Sequence, residues 1–254
     1  DLPADSTQSA MVYPERNPEE IRRIERFTAT YFAYGIKVPR IERVIGDRIM
    51  VLEDLGSRSL QQVFRQSNIK IRKKLLDRIA EILHALRQIP LDKTEIVLDR
   101  KRMQFEMDFF LTHFIADSLA GDRKSQLVER LEKLILAIDE NSVFCHRDFH
   151  SRNMQVVDDR VCLVDFQDSL KGPAYYDLVS IVNDSYLDIG KLKSYLLDAL
   201  SERGIDIDEK LYHLTALQRN IKALGTFGFQ INSRKNRTYI KYIARTLSHI
   251  EKNP

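Results

Sequence analysis

The stretch from Val143 to Ser169, VFCHRDFHSRNMQVVDDRVCLVDFQDS, leaves the fold least freedom. Met154-Gln155-Val156-Val157 and Val161-Cys162-Leu163-Val164 read as two short strands, and Asp158-Asp159-Arg160 between them as a tight turn. A hairpin of this kind brings its two open ends together. It therefore sets Asn153, just before the first strand, beside Asp165, just after the second.

The residues fixed in this way are polar, and their order is informative. Asp148 follows His146-Arg147, Asn153 comes five positions after Asp148, and Asp165 lies beyond the hairpin. In protein-kinase catalytic loops an Asp at the first position orients the acceptor hydroxyl, while the Asn and the later Asp hold magnesium. Such chemistry needs hard oxygen ligands and one well-placed carboxylate, because positioning and charge neutralisation do most of the work. His-Arg-Asp or Asp-Phe alone would be equally well explained as turn capping at the edge of a buried hairpin. The whole set in register is not.

The 254 residues suffice for one large domain or two unequal lobes, and 43% hydrophobic content supplies a core. A balance of 40 basic to 37 acidic residues gives only +3, which does not point to nucleic acid. The most basic run, Arg234-Lys235-Asn236-Arg237, reads as a solvated loop. No apolar run reaches the roughly 18 residues that span a bilayer, and the acidic, proline-containing start does not read as a signal peptide. A cytoplasmic monomer is expected. Cys145 and Cys162, each in an apolar strand segment, are expected to be free buried thiols.

Along the chain a small mixed region precedes a long helical one, an α+β arrangement in two lobes. Gln8 to Tyr13 reads as a strand. Asn17-Pro18-Glu19-Glu20 has the signature of a helix start, with Ile21, Ile24, Phe27, Tyr31 and Phe32 on one face and Gly35 as the stop. Ile41 to Ile45 and Arg48 to Glu53 form a hairpin around Gly46-Asp47. The small lobe is expected over residues 1–55 and the helical lobe over 56–254, with Leu52, Glu53 and Leu55 in a hinge whose backbone faces a nucleotide base. A helical stripe of Leu75, Leu76, Ile79, Ile82, Leu83 and Leu86 ends at Pro90, and further helices are expected near 101–119, 124–138, 175–187, 208–230 and 236–251.

Only about seven residues separate Asp165 from Gly172-Pro173, too few for the activation segment on which a protein kinase docks a peptide. The acceptor is therefore expected to be a small hydroxyl compound. The sequence resembles the aminoglycoside phosphotransferase and choline kinase superfamily, which has a protein-kinase-like fold. Within it, the chain is most similar to bacterial anomeric kinases of N-acetylmuramate and N-acetylglucosamine, which act in cell-wall recycling. Carrying that resemblance are Ser9 to Val12, Tyr34 to Ile41, Leu98-Asp99-Arg100, Phe105 to Phe110, His146 to Asn153, Asp165-Phe166-Gln167-Asp168, Gly172 to Ser180 and Gln218 to Phe227.

The resemblance implies ATP as co-substrate, Mg2+ as the cofactor and a small amino sugar as acceptor, with another small hydroxyl compound, such as an aminoglycoside, choline or thiamine, as the alternative. It casts Asp148 as the catalytic carboxylate, Asn153 and Asp165 as metal ligands, and Asp177 with His146 as supports of the catalytic loop. Sugar contacts are expected from Glu106, Arg152 and Gln167; Glu106 and Asp108, about 200° apart on a helix, cannot both face one pocket. Arg152 could equally pair with phosphate or with Asp168, and His150 is expected to order the loop. Two departures stand out. Met11 occupies the nucleotide-facing strand position where a Lys or Arg is usual, although similar sugar kinases also carry Met there. The glycine-bearing hairpin that normally covers the phosphates is missing. A longer parent chain would explain it, and we expect this because every magnesium and acceptor residue is present; a kinase that binds without catalysing is the alternative.

Overall fold

The computed structural model describes residues 8–12, 17–138 and 142–254. Tyr13, the expected end of the first strand, lies outside the described residues. Strand β1 (Gln8–Val12) is followed by helix α1 (Pro18–Ala33) and by strands β2 (Ile41–Ile45) and β3 (Ile49–Glu53), which form an antiparallel sheet in the order β1-β3-β2. The Asn17 side chain caps α1 by accepting from the Glu20 amide, and Pro18 occupies the first turn. The helix ends where Gly35 takes φ +72° and the Ile36 amide returns to the Tyr31 carbonyl. Its buried face is Ile21, Ile24, Phe27 and Tyr31. Phe27 and Tyr31 each meet Phe144 edge-on at 5.9 Å, and the Tyr31 hydroxyl reaches Ser169 Oγ at 2.8 Å. A fully buried aromatic of this size contributes roughly 1.5–3 kcal/mol. Helix α1 is thus anchored on the same segment that the sequence marks as functional.

Next come α2 (Leu60–Gln66) and α3 (Ile69–Gln88). The sequence reading did not include α2, although Ser59 and Gln62 form a reciprocal capping box at its start. This junction grips the hairpin expected over residues 154–164 and the loop before it, with the Val156 amide donating to Arg58 O and the Gln61 amide to Ser151 O. The expected 101–119 helix is α4 (Arg100–Phe110), which loosens into a π-helical turn over Leu111–Ile115 and stops at Ala116 with φ +46°. Helix α5 (Gly121–Ala137) leads to β4 (Ser142–Cys145), β5 (Met154–Val157), β6 (Arg160–Leu163) and β7 (Leu170–Pro173). Asp158 and Asp159, both at positive φ, make a two-residue turn between β5 and β6, so β6 starts one residue earlier than expected.

Helix α6 (Tyr176–Val182) is shorter than the expected 175–187, because Asp184 turns the chain: its carboxylate accepts the Ser151 amide at 2.8 Å and the Tyr186 amide at 2.7 Å. Helix α7 (Leu192–Ser201), absent from the sequence reading, packs on α3. Helix α8 (Glu209–Asn232) runs through the large lobe, and α9 (Ile240–Glu251) follows a short 3-10 turn at Arg237–Tyr239. Close approach of α8 to α4 and the π-helical turn requires glycine at Gly225 and Gly228, where an added Cβ would lie 2.9 Å from Phe110 Cα and 2.3 Å from the His113 carbonyl oxygen. Arg234 to Arg237 are exposed, as expected of a solvated loop. Both cysteines are free and buried. Among the described residues no helix is long and apolar enough to cross a membrane.

Candidate active site

Two small ladders shape the site. β4 pairs with β7 so that Cys145 faces Leu170, which closes the intervening chain into a loop, and β5 pairs with β6 so that Met154 faces Leu163. The Val164 amide then donates to the Asn153 carbonyl at 2.9 Å, so Asn153 and Asp165 meet at the open end of the hairpin. Asn153 Nδ2 donates to Asp165 Oδ2 at 3.3 Å and to the Asp148 backbone carbonyl at 3.1 Å. These bonds use the amide nitrogen and leave the Asn153 side-chain oxygen to accept from, or ligate, something else.

The loop is held from behind. Asp177, on the first turn of α6, accepts the His146 amide at 2.6 Å and the Arg147 amide at 3.0 Å. Arg147 sits at φ +79° and Asp165 at φ +62°, conformations that non-glycine residues adopt only when their surroundings over-determine them. The buried His146 ring bonds the Val164 carbonyl at 3.1 Å and so ties the loop to the hairpin. Burial pushes the Asp177 carboxyl up to about 7 against the pull of the two amides. Burial also lowers His146, and it drives His150, with Arg219 nearby, down to about 3.

Asp148 lines a cavity of about 490 Å³ together with His150, Arg152, Asn153, Asp165, Arg219 and Lys222 among others. Its Oδ1 accepts from Lys222 Nζ at 3.1 Å. Burial alone would raise the Asp148 carboxyl, but the Lys222 ammonium, with Arg147 adding to it, holds it well below the usual carboxylate range. A neighbouring cavity of about 590 Å³ is lined by Leu98, Phe105, Glu106, Phe109, Arg147 and Lys222 among others. Lys222 and Thr226 belong to both cavities, so their helix face forms the shared wall.

The expected acceptor residues separate on inspection. Glu106 is buried, accepts from Gln218 Nε2 at 2.8 Å and lies 3.8 Å from Arg147, at the wall of the larger cavity. Asp108 faces the other way and is engaged by Gln104. Arg152 lines the cavity of about 490 Å³, with its guanidinium 4.8 Å over the Tyr186 ring; Asp168 instead faces Arg23 at 3.6 Å. Gln167, the third expected acceptor contact, donates to Asp165 Oδ1 at 2.7 Å and so orients that carboxylate. In the hinge region the Glu53 amide donates to Arg40 O and the Glu53 carboxylate pairs with Arg40, while Met11 and Leu52 lie in paired strands. Lys222 and Arg219 are the functional-site residues that sequence reasoning missed. Their signal was present in the Gln218 to Phe227 run, where two cations three residues apart share a helix face.

A loop so held, turned toward an Asn and an Asp across a hairpin and backed by a helical lobe, defines the class: a phosphotransferase of kinase-like fold. The chain belongs to the phosphotransferase enzyme family, whose profile matches residues 7–207. It is 27% identical over 214 residues to an N-acetylmuramate/N-acetylglucosamine kinase of Neisseria meningitidis serogroup B, covering 76% of this chain and 63% of that protein. The protein of the same name from Pseudomonas aeruginosa is 23% identical over 252 residues, covering 92% of this chain and 73% of that one. The chain thus spans less than two thirds of the Neisseria protein. Among solved structures, the GDP complex of wild-type aminoglycoside 2'-phosphotransferase-IIIa superposes with a TM-score of 0.66 at 15% identity, over 99% of this chain and 94% of that one. The expected fold class is therefore the observed one.

Proposed function

We propose that the protein is an ATP-dependent small-molecule kinase that phosphorylates the anomeric hydroxyl of an N-acetyl amino sugar. The observation that carries this is the convergence of Asp148, Asn153 and Asp165 on one cavity beside a second, acceptor-sized one. Asp148 accepts a hydrogen bond from the sugar hydroxyl and takes its proton late, as the new O–P bond forms to the γ-phosphorus and the bond to the β–γ bridging oxygen breaks to release ADP. Alignment matters more here than basicity, so a strongly acidic Asp148 is no obstacle.

The Asn153 side-chain oxygen and the Asp165 carboxylate fit magnesium, and Gln167 steadies the latter. Among the described residues no cluster of three or more His, Cys, Asp or Glu could hold a metal alone. That suits an ion which keeps much of its water and takes one or two protein oxygens plus phosphates. When bound, it would neutralise charge on the nucleotide phosphates. In this reading residues 1–55 form the nucleotide-binding lobe and 56–254 the catalytic lobe. Met11, Leu52 and Leu55 belong to the nucleotide-binding set, and Glu53 contributes through its backbone carbonyl, since its amide and its carboxylate are committed to Arg40.

Glu106 and Arg152 are the acceptor contacts that the geometry favours. The two cavities carry Arg147, Arg152, Arg219 and Lys222 toward the reacting centre. A polycationic aminoglycoside would meet these cations at close range, whereas a neutral or singly anionic sugar would not be repelled. The names of the two similar proteins support the amino-sugar choice. Magnesium-dependent ADP release over N-acetylmuramate, N-acetylglucosamine, choline, thiamine and kanamycin, with phosphorus NMR of the product, tests the reading. An anomeric phosphate from the N-acetyl sugars alone is expected; turnover only with kanamycin, or with none of the panel, overturns it.

A further inference from the structure

We propose that Lys222 is the positioning residue of phosphoryl transfer: its ammonium fixes the Asp148 carboxylate so that the free oxygen meets the acceptor hydroxyl. The proposal rests on the kinase reading above. Among the described residues, Lys222 is the one side chain within hydrogen-bond reach of the Asp148 carboxylate, at 3.1 Å from Oδ1. The remaining bonds at Asp148 go to its backbone carbonyl, from Asn153 Nδ2 and the His150 amide. They fix the loop and leave the side-chain torsion unset. Lys222 sets it, and Oδ2 stays open to a ligand.

The place of Lys222 in the fold explains why it can do so. It lies on the α8 face shared by the catalytic and acceptor cavities, at the line the phosphoryl group must cross. Its helix is registered against α4 by Gly225 and by the Gln218–Glu106 bond, on the turns flanking it. The ammonium therefore comes from a rigid element. His150, two residues after Asp148, is kept neutral by burial. Lys222 brings a positive charge to Asp148 from a different part of the chain.

The test uses Lys222→Cys and its alkylation with 2-bromoethylamine, which rebuilds an ammonium at nearly the lysine length. Cys145 and Cys162 are buried at 1% and 6% exposure, so the new thiol is the reactive one. Wild type must first release ADP with an acceptor; if it does not, the kinase reading fails and not this one. With wild type active, Lys222→Cys is expected to lower kcat about 10²-fold, the scale of a misplacement near 1 Å, with the KM for ATP little changed. Alkylation is expected to restore kcat to within about tenfold of wild type. A variant that keeps wild-type kcat overturns the proposal. So does a loss that alkylation leaves unrepaired, because it would trace to packing and not to the charge.

Discussion

Gly228→Ala tests whether the contact of α8 with α4 and the π-helical turn is as tight as the structure requires. The new Cβ would lie 2.3 Å from the His113 carbonyl oxygen, 2.6 Å from its carbon and 2.8 Å from the Phe114 nitrogen, all backbone atoms. Reaching the 3.4 Å of ordinary contact means parting the two segments by about 1.1 Å. Overpacking of that severity costs about 3 kcal/mol, and replacing a mid-helix glycine by alanine returns about 1 kcal/mol. The net loss is about 2 kcal/mol, or roughly 4–8 °C in Tm for a chain of this size. Gly225→Ala is the internal control. Its Cβ would stand 2.9 Å from Phe110 Cα and needs only about half the shift, so cost and helix gain nearly cancel. Urea denaturation of both variants against wild type gives the comparison. A Gly228→Ala protein as stable as wild type, or less destabilised than Gly225→Ala, would refute the packing argument.

Two further predictions concern the site. Asp148→Asn is expected to keep the wild-type Tm within a few degrees and to lose several powers of ten in kcat; near-normal turnover in a coupled ADP assay would remove Asp148 from its role. His150, held down to about 3 in the folded protein, titrates near its ordinary value of about 6.5 when unfolded. Between those values the unfolded state holds more protons, so stability rises with pH across this window and is lost on acidification through it. From pH 7.5 to pH 5 this group alone withdraws about 2 kcal/mol, and His150→Gln is expected to lack that part of the fall when the two proteins are compared at both pH values. A variant whose stability falls as steeply as that of wild type would show that His150 charges freely in the fold.

The site was legible in the sequence wherever its chemistry is local. The Asn153 to Asp165 juxtaposition follows from two short apolar strands joined by a turn at Asp158-Asp159-Arg160, and the Asn17-Pro18 start of α1 from capping chemistry. Where a contact spans the chain, the sequence was silent. Asp148 reads as the acid of a local loop motif, and only the fold brings Lys222 to it from 74 residues away. The helix expected to run to residue 187 breaks early because Asp184 finds two backbone amides, one of them 33 residues away in sequence. Nor does periodicity reveal a π-helical turn such as Leu111–Ile115, since it adds a residue to one turn without changing the apolar character of the face.

The same distinction bears on how acceptor choice is built. The catalytic loop is braced by Asp177 from behind and by His146 from within, both through backbone groups whose geometry is indifferent to the acceptor. The walls that would touch an acceptor come instead from α4 and α8, with Glu106 and Gln218 bonded across the gap and Lys222 one turn further along. A charge exchanged at Glu106 or Lys222 would reach the loop through Arg147 or Asp148, whereas one exchanged elsewhere on the two helix faces would alter the pocket without disturbing the loop. A charge exchanged in the loop would disturb both, because Arg147 reaches Glu106 while its amide is held by Asp177. Residues that set acceptor preference are therefore to be sought along the α4–α8 seam, where the close packing at Gly225 and Gly228 fixes the spacing and the polar positions between them are free to differ.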